Sequence, residues 1–147
     1  MINYFIIFLA LIAEYNAIYL TKGAYLIKNQ ETNSFACDIN NQLSCSSVFN
    51  FDFAWFFGIP FSGIAIVAYL AIIILTILGM KKIIKNHFKI LFWFGVLGLI
   101  FNGYIILQEY LKNTYCLLCL MCTAILAIIT FIAFKNMKEK KITIISA

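Results

Sequence analysis

Residues Phe53–Met80 read FAWFFGIPFSGIAIVAYLAIIILTILGM, without a single charged side chain. A helix crosses the hydrocarbon core of a bilayer with roughly 20 residues, so this run exceeds one crossing. Only helices and closed barrels satisfy their backbone polar groups inside lipid, and an apolar run this continuous reads as helix. Three further runs flank it. One is Ile2–Leu20, interrupted by Glu14; one lies between Lys89 and Glu109; one lies between Lys112 and Lys135. The expected fold class is therefore all-α: an integral membrane four-helix bundle, with spans at about 2–20, 57–80, 90–108 and 114–134. A single domain over 1–147 is expected, since no linker, repeat or low-complexity tract divides the chain.

Composition agrees with this reading. Hydrophobic residues make up 64% of the chain and charged residues 12%, against about 45–50% and 25% in soluble domains. So few charges cannot cover a water-soluble globule, and disordered chains lack this wealth of aromatic and branched residues. Net charge is +5, but its distribution argues against a nucleic-acid partner. All of it is lysine, clustered at span ends. Lys81, Lys82, Lys85 and Lys89 fill one connection, and Lys135, Lys138, Lys140 and Lys141 follow the last run. Only Lys22, Lys28 and Lys112 fall on the other side. The positive-inside rule then predicts cytoplasmic N- and C-termini, with Thr21–Asp52 and Glu109–Tyr115 on the outer face. The first run lacks a basic leader and a small-x-small cleavage site, so it reads as a retained span and not a signal peptide.

The outer segment between spans one and two is the only sizeable polar stretch. Asp38–Gln42 reads as loop. Val48–Phe57, VFNFDFAWFF, is expected to form a short half-helix at the interface, where aromatic rings settle. Pro60 suits the start of the following span, because its missing N–H would be unpaired there anyway.

The cysteines carry the chemistry. Cys37 and Cys45 lie in the outer loop, and Cys116 and Cys119 open the last span. The lysine bias thus puts all four at the oxidising face, where disulfides persist. Residues three apart on a helix share a face, about 5–6 Å between Cβ atoms, which is within adjustment of disulfide distance. Asn113 or Thr114 is expected to cap the helix, leaving Cys116 in its first turn, poised for exchange. The plain alternative is that both are small packing residues. Cys37 and Cys45 close a short loop at little entropic cost, either as a staple or as a mobile shuttle; two pairs at one face allow exchange in series. Cys122 reads as a buried small residue, though it can pair with Cys119 in a trapped state. His87 lies far from the cysteines and is given no role. Glu14 is an ionisable residue within a span, and hence a functional candidate or part of a polar interior. Asn102, Tyr104 and Gln108 fall on roughly one side of span three, for bonds within the bundle or to a ligand.

The pattern Cys37-x7-Cys45, Val48-Phe49, Phe57-Gly58-Ile59-Pro60 with Gly63, and Tyr115-Cys116-x-x-Cys119 resembles the vitamin K epoxide reductase family, in its bacterial branch. The resemblance covers nearly the whole chain. It implies a four-helix bundle around a quinone, ubiquinone or menaquinone, in the bacterial inner membrane. It implies Cys116 and Cys119 as the catalytic pair, Cys119 nearest the quinone, and Cys37 and Cys45 as the shuttle disulfide. Phe49 stands at the family's aromatic position near the quinone, and Phe57 and Asn102 are further candidate quinone contacts. No metal site is implied. Bacterial relatives oxidise a thioredoxin-like (DsbA-like) protein on the outer face and so support disulfide formation in exported proteins. Some carry that domain fused; this chain is too short for one, so a separate partner is expected. Two positions depart from the family: Phe51 replaces a common serine, and Thr123 an aromatic pocket residue. Both bear on quinone preference rather than on the cysteines.

Two rival readings use the same cysteines. A quinone reductase of the DsbB type also has four helices and two cysteine pairs, but there the CxxC comes first in the chain. A soft-metal transporter for Hg or Cu(I) would pass the ion between thiolates, yet Cys37-x7-Cys45 is wide for a metal clasp.

Overall fold

The computed structural model describes residues 1–29 and 35–146, with side chains through Glu139; Lys140 and Lys141 of the basic tail lie outside the described side chains. The elements run α1 (Ile2–Lys28), α2 (Cys45–Phe49), a 3-10 turn (Asp52–Ala54), β1 (Trp55–Phe56), β2 (Ile59–Pro60), α3 (Phe61–Met80), α4 (His87–Leu111) and α5 (Leu117–Ser146). Ile2–Lys28, Phe61–Met80, His87–Leu111 and Leu117–Glu139 are long and apolar enough to cross a membrane. Their outward faces carry large apolar side chains such as Phe8, Val67, Leu97 and Phe131. Exposed apolar surface on this scale belongs in lipid. The chain is an all-α, multi-pass membrane protein.

The helix ends differ from the expected limits for identifiable reasons. Helix α1 continues past Leu20 to Lys28. The Thr21 hydroxyl there donates to the Ala17 carbonyl (2.8 Å) and lies 2.9 Å from the Ser62 hydroxyl on α3, while Ala24 keeps the helix packed. Val48–Phe57 is not one half-helix. Helix α2 starts earlier, because Ser44 caps it by accepting the Ser47 N–H (3.2 Å), and it stops at Phe49. The 3-10 turn and a two-residue hairpin then follow. Phe57 and Gly58 both have positive φ, 52° and 82°, as a tight turn matching strand twist requires. The hairpin postpones α3 to Phe61, with Pro60 as its N-cap.

Inside lipid, apolar burial gives no drive between helices, so close packing and hydrogen bonds must hold the bundle. Ile6, Ala10, Ala13, Ala17, Leu20 and Ala24 form a buried stripe along α1. Their alternating spacing of four and three is a seam at 3.5 residues per turn. Four alanines on it let α1 lie close along α3 and against α5. Helices α4 and α5 make the other close pair. A Cβ at Gly95 would fall 2.2 Å from Thr130 Oγ1 and 3.1 Å from its Cβ. Thr130 cannot simply swing away, since its hydroxyl donates to the Leu126 carbonyl at 2.7 Å. The interior falls into two clusters: one centred on Ala13, Ile72, Leu91 and Ile129, the other on Phe49, Phe61, Ile105 and the first four cysteines.

Gly95→Ala should therefore lower stability by about 1–3 kcal/mol, the usual cost of overpacking. Thermal unfolding in detergent reads the loss, and adding Thr130→Ala should recover most of it. A Gly95→Ala protein melting with wild type would refute the close α4–α5 approach.

Candidate redox centre

Helix α4 ends where Asn113 takes a left-handed conformation (φ 50°). The Thr114 N–H reaches the Glu109 carbonyl (3.0 Å) and the Asn113 N–H the Tyr110 carbonyl (3.1 Å). This pair of bonds closes a helix C-terminus. Asn113 thus terminates α4 rather than capping α5. Cys116 takes the capping place itself. Its carbonyl accepts the Leu120 N–H (3.1 Å), and its sulfur accepts the Cys119 N–H (3.4 Å). A thiol fills the role that Ser or Asp usually plays, and this aims Cys116 Sγ along the helix toward Cys119.

The outer loop is clamped onto this helix start. The Tyr115 N–H donates to the Gln42 carbonyl (2.7 Å), and the Ser44 N–H donates to the Tyr115 carbonyl (3.1 Å). Leu43 and Tyr115 pair as a parallel bridge. Residues adjacent to Cys45 and Cys116 are thereby bonded to each other. The loop itself is knotted by Asp38. Its carboxylate accepts from the Phe35 N–H (2.8 Å), the Ser44 hydroxyl (3.0 Å), the Ser46 N–H (3.0 Å) and the Ser46 hydroxyl. Burial alone would raise the Asp38 carboxyl, but the bonds from Ser46, Phe35 and Ser44 outweigh it and hold it below its ordinary value.

The result is a row of four sulfurs. Cys37 and Cys45 form a disulfide with Cα atoms 5.9 Å apart. Cys45 Sγ lies 3.0 Å from Cys116 Sγ, which lies 2.6 Å from Cys119 Sγ. The Cys37, Cys45 and Cys116 sulfurs all sit within 4.8 Å of one another. All four residues are buried. A loop staple alone gives no reason for a free thiol to touch one of its sulfurs. Cys122 stands apart, in the other cluster, with its thiol 3.9 Å from the Ala13 carbonyl.

Phe49 is buried and stacks on Phe61 at 5.2 Å between ring centres. Phe61 also borders a cavity of about 510 Å³ between α3 and α4, with Tyr69, Phe101, Asn102, Tyr104 and Leu126 among its lining. Ligand cavities of about 300–1,000 Å³ are typically apolar with few polar groups, and this one has that size and that kind of lining. Asn102 is half-buried at its wall. Phe57 is fully exposed at the hairpin tip, outside the described lining. The Tyr69 hydroxyl donates to the Cys122 carbonyl (2.8 Å), and Thr123 bonds the Cys119 carbonyl (2.9 Å). Glu14 is half-buried on α1, with Oε2 unpaired among the described residues. Two residues of the centre escaped sequence reading. Asp38 passed as ordinary loop, although serines on both sides of Cys45 offer it donors. Glu109 passed as a span boundary, although it is fully buried and accepts the Cys116 N–H at 3.2 Å.

Asp38→Ala should loosen the loop by about 1–2 kcal/mol, since hydrogen bonds to a charged group are worth about 1.5–3 kcal/mol each when buried and less with partial exposure. Faster hydrogen exchange over residues 35–48 and easier reduction of Cys37–Cys45 would report it. The lowered carboxyl sets the sign of the pH effect. Its stabilisation is whole above the ordinary value, about 3.9, and fades as pH falls through the lowered one. Wild-type loop protection should thus hold from neutral pH to about 4, then drop, and Asp38→Ala should lack that step.

No curated protein matches the chain. The sequence profile of the Vitamin K epoxide reductase family matches residues 4–134, which run from the start of α1 to just past the middle of α5 and include all five cysteines. That match and the sulfur row agree on thiol–disulfide chemistry in a membrane bundle, and the chain belongs to the vitamin K epoxide reductase family.

Proposed function

We propose that this protein is a membrane thiol oxidase that takes electrons from a separate thioredoxin-like protein and delivers them to a quinone. The observation that carries this reading is the 3.0 Å approach of Cys45 Sγ to Cys116 Sγ, with Cys119 next in the row.

The relay runs as two exchanges. The partner's dithiol reduces the Cys37–Cys45 disulfide, leaving two thiols on this chain and a disulfide on the partner. Cys45, as thiolate, attacks Cys116 Sγ of an oxidised Cys116–Cys119 pair. The Cys45–Cys116 bond forms, the Cys116–Cys119 bond breaks, and Cys119 leaves as thiolate. Cys37 then attacks Cys45, restoring the loop disulfide and releasing Cys116. Two electrons have moved from loop to helix, and the two loop thiols have given up their protons. A quinone, when bound, supplies a two-electron, two-proton acceptor that lets the Cys116–Cys119 pair reoxidise.

The chain's own residues support this. Phe61 shares a packed cluster with Cys119 and also lines the cavity, so it joins the thiol to an apolar ring site. Asn102 is the polar group suited to orient a ring carbonyl there, and Phe49 backs Phe61 by stacking. Phe57, exposed at the turn, belongs to the membrane interface at the site's edge. The lysine-rich connection between α3 and α4 sets the cysteine end outside, where exported proteins acquire disulfides, in a bacterial cytoplasmic membrane.

The test is turnover of purified protein with a reduced DsbA-like partner and ubiquinone or menaquinone, followed by quinone absorbance. Wild type should reduce quinone. Cys119→Ala should abolish the activity. Cys37→Ala should block partner-driven turnover yet spare turnover by a small dithiol. Absence of quinone reduction by wild type would sink the proposal, and partner-driven activity in Cys37→Ala would overturn the shuttle order.

A further inference from the structure

Glu109 is the one fully buried carboxyl among the described residues, and the relay above does not use it. The turn that ends α4 sets it under the CxxC. Its carbonyl accepts the Thr114 N–H (3.0 Å), and its Oε2 accepts the Cys116 N–H (3.2 Å). Its Oε1 is buried with no hydrogen-bond partner among the described residues. Cys116, the residue Glu109 holds, has its sulfur 3.0 Å from Cys45 Sγ and 2.6 Å from Cys119 Sγ. An unpaired polar atom in a buried site costs stability, and its presence in a native fold points to a task.

The task follows from charge. Each exchange creates a thiolate where Cys45 and Cys116 are 0% exposed, so water cannot readily take or give the proton. Two negative charges side by side in such a site are costly. The other nearby carboxyl, Asp38, already has its oxygens committed to four donors. Glu109 has one oxygen free.

We propose that Glu109 holds the proton released during the relay, so that a single buried negative charge moves instead of a second one arising. This rests on the relay reading. As the cycle begins, Glu109 is the carboxylate and both loop thiols are protonated. The Cys45 proton passes to Glu109, the Cys45–Cys116 bond forms, the Cys116–Cys119 bond breaks, and Cys119 carries the charge. When Cys37 closes onto Cys45, its proton goes to the departing Cys116 sulfur. The charge has moved from Glu109 to Cys119, toward the cavity, and Glu109 keeps a proton to return when the pair is reoxidised. Glu109 acts here by positioning Cys116 and by storing that proton.

Two readouts test it on the full-length protein. Glu109→Gln keeps an oxygen for the Cys116 N–H but cannot store a proton. It should slow partner-driven turnover by about 100-fold, the low end for a lost proton-transfer group, and Glu109→Asp should recover much of the rate. Redox-difference infrared spectra should show a carboxylic-acid band that grows as Cys116–Cys119 is reduced. The band should persist in Glu14→Gln, move in Glu109→Asp and vanish in Glu109→Gln. The infrared result stands on wild type and the Asp variant even if Glu109→Gln folds poorly. Wild-type turnover with an unaffected Glu109→Gln, or a wild-type spectrum without that band, overturns the role of Glu109 alone. A wild type that cannot pass electrons between the two pairs overturns the relay and this inference with it.

Discussion

Two backbone hydrogen bonds, Tyr115 N–H to Gln42 carbonyl and Ser44 N–H to Tyr115 carbonyl, hold the outer loop against the start of α5. Without them Cys45 and Cys116 are 71 residues apart in sequence, and thiols that meet only by loop diffusion would exchange slowly and unselectively. With them the two sulfurs are neighbours, because each lies one residue from a bonded pair. The clamp is buried at its inner end, Ser44, and exposed at its outer end, Gln42. Its hold on Cys37 is indirect and runs through Asp38, whose bonds to Ser44 and Ser46 bring the loop's other cysteine back onto α2.

The bundle divides its labour along its length. One half packs tightly on the alanine stripe of α1 and the Gly95–Thr130 crossing, with Tyr69, His87 and Cys122 buried in it. The other half spends aromatic rings and polar loops on holding sulfurs in place. The cavity lies along the boundary, with Phe61 from the reactive half and Ile72 and Leu126 from the packed half on its walls. Reactive groups are held most precisely when the elements that carry them are backed by a tightly packed scaffold.

The spans were legible because length and lack of charge are all a membrane helix requires; the ends were not, because local turn chemistry decides them. The hairpin at Phe57–Gly58 looks from sequence like a continuation of an aromatic helix, and only its positive backbone angles reveal the turn. Asn113 is as good a C-terminal residue in the left-handed region as an N-cap, and sequence alone weighs the two alike. The cysteine pairs were legible from spacing. Asp38 and Glu109 were not, since an acidic residue in a loop or at a span end is most often a solvated one. What makes each special is a set of donors brought in from elsewhere in the chain: Ser46 and Phe35 for one, the Cys116 N–H for the other.

The fate of Cys122 shows why the row of sulfurs ends where it does. It repeats the spacing of the CxxC, three residues past Cys119, and spacing alone would extend the row by one more thiol. In this structure its thiol is turned elsewhere. Cys116 reaches Cys119 because it sits before the helix proper, as a cap, and bends its sulfur onto the first turn. Cys119 and Cys122 are both inside the helix, where side chains stand out at fixed angles. There the Cys122 thiol turns toward the Ala13 carbonyl of α1, and its own carbonyl is taken by Tyr69. The row of sulfurs thus ends at Cys119, in the packed cluster that also holds Phe61, and Phe61 borders the apolar cavity.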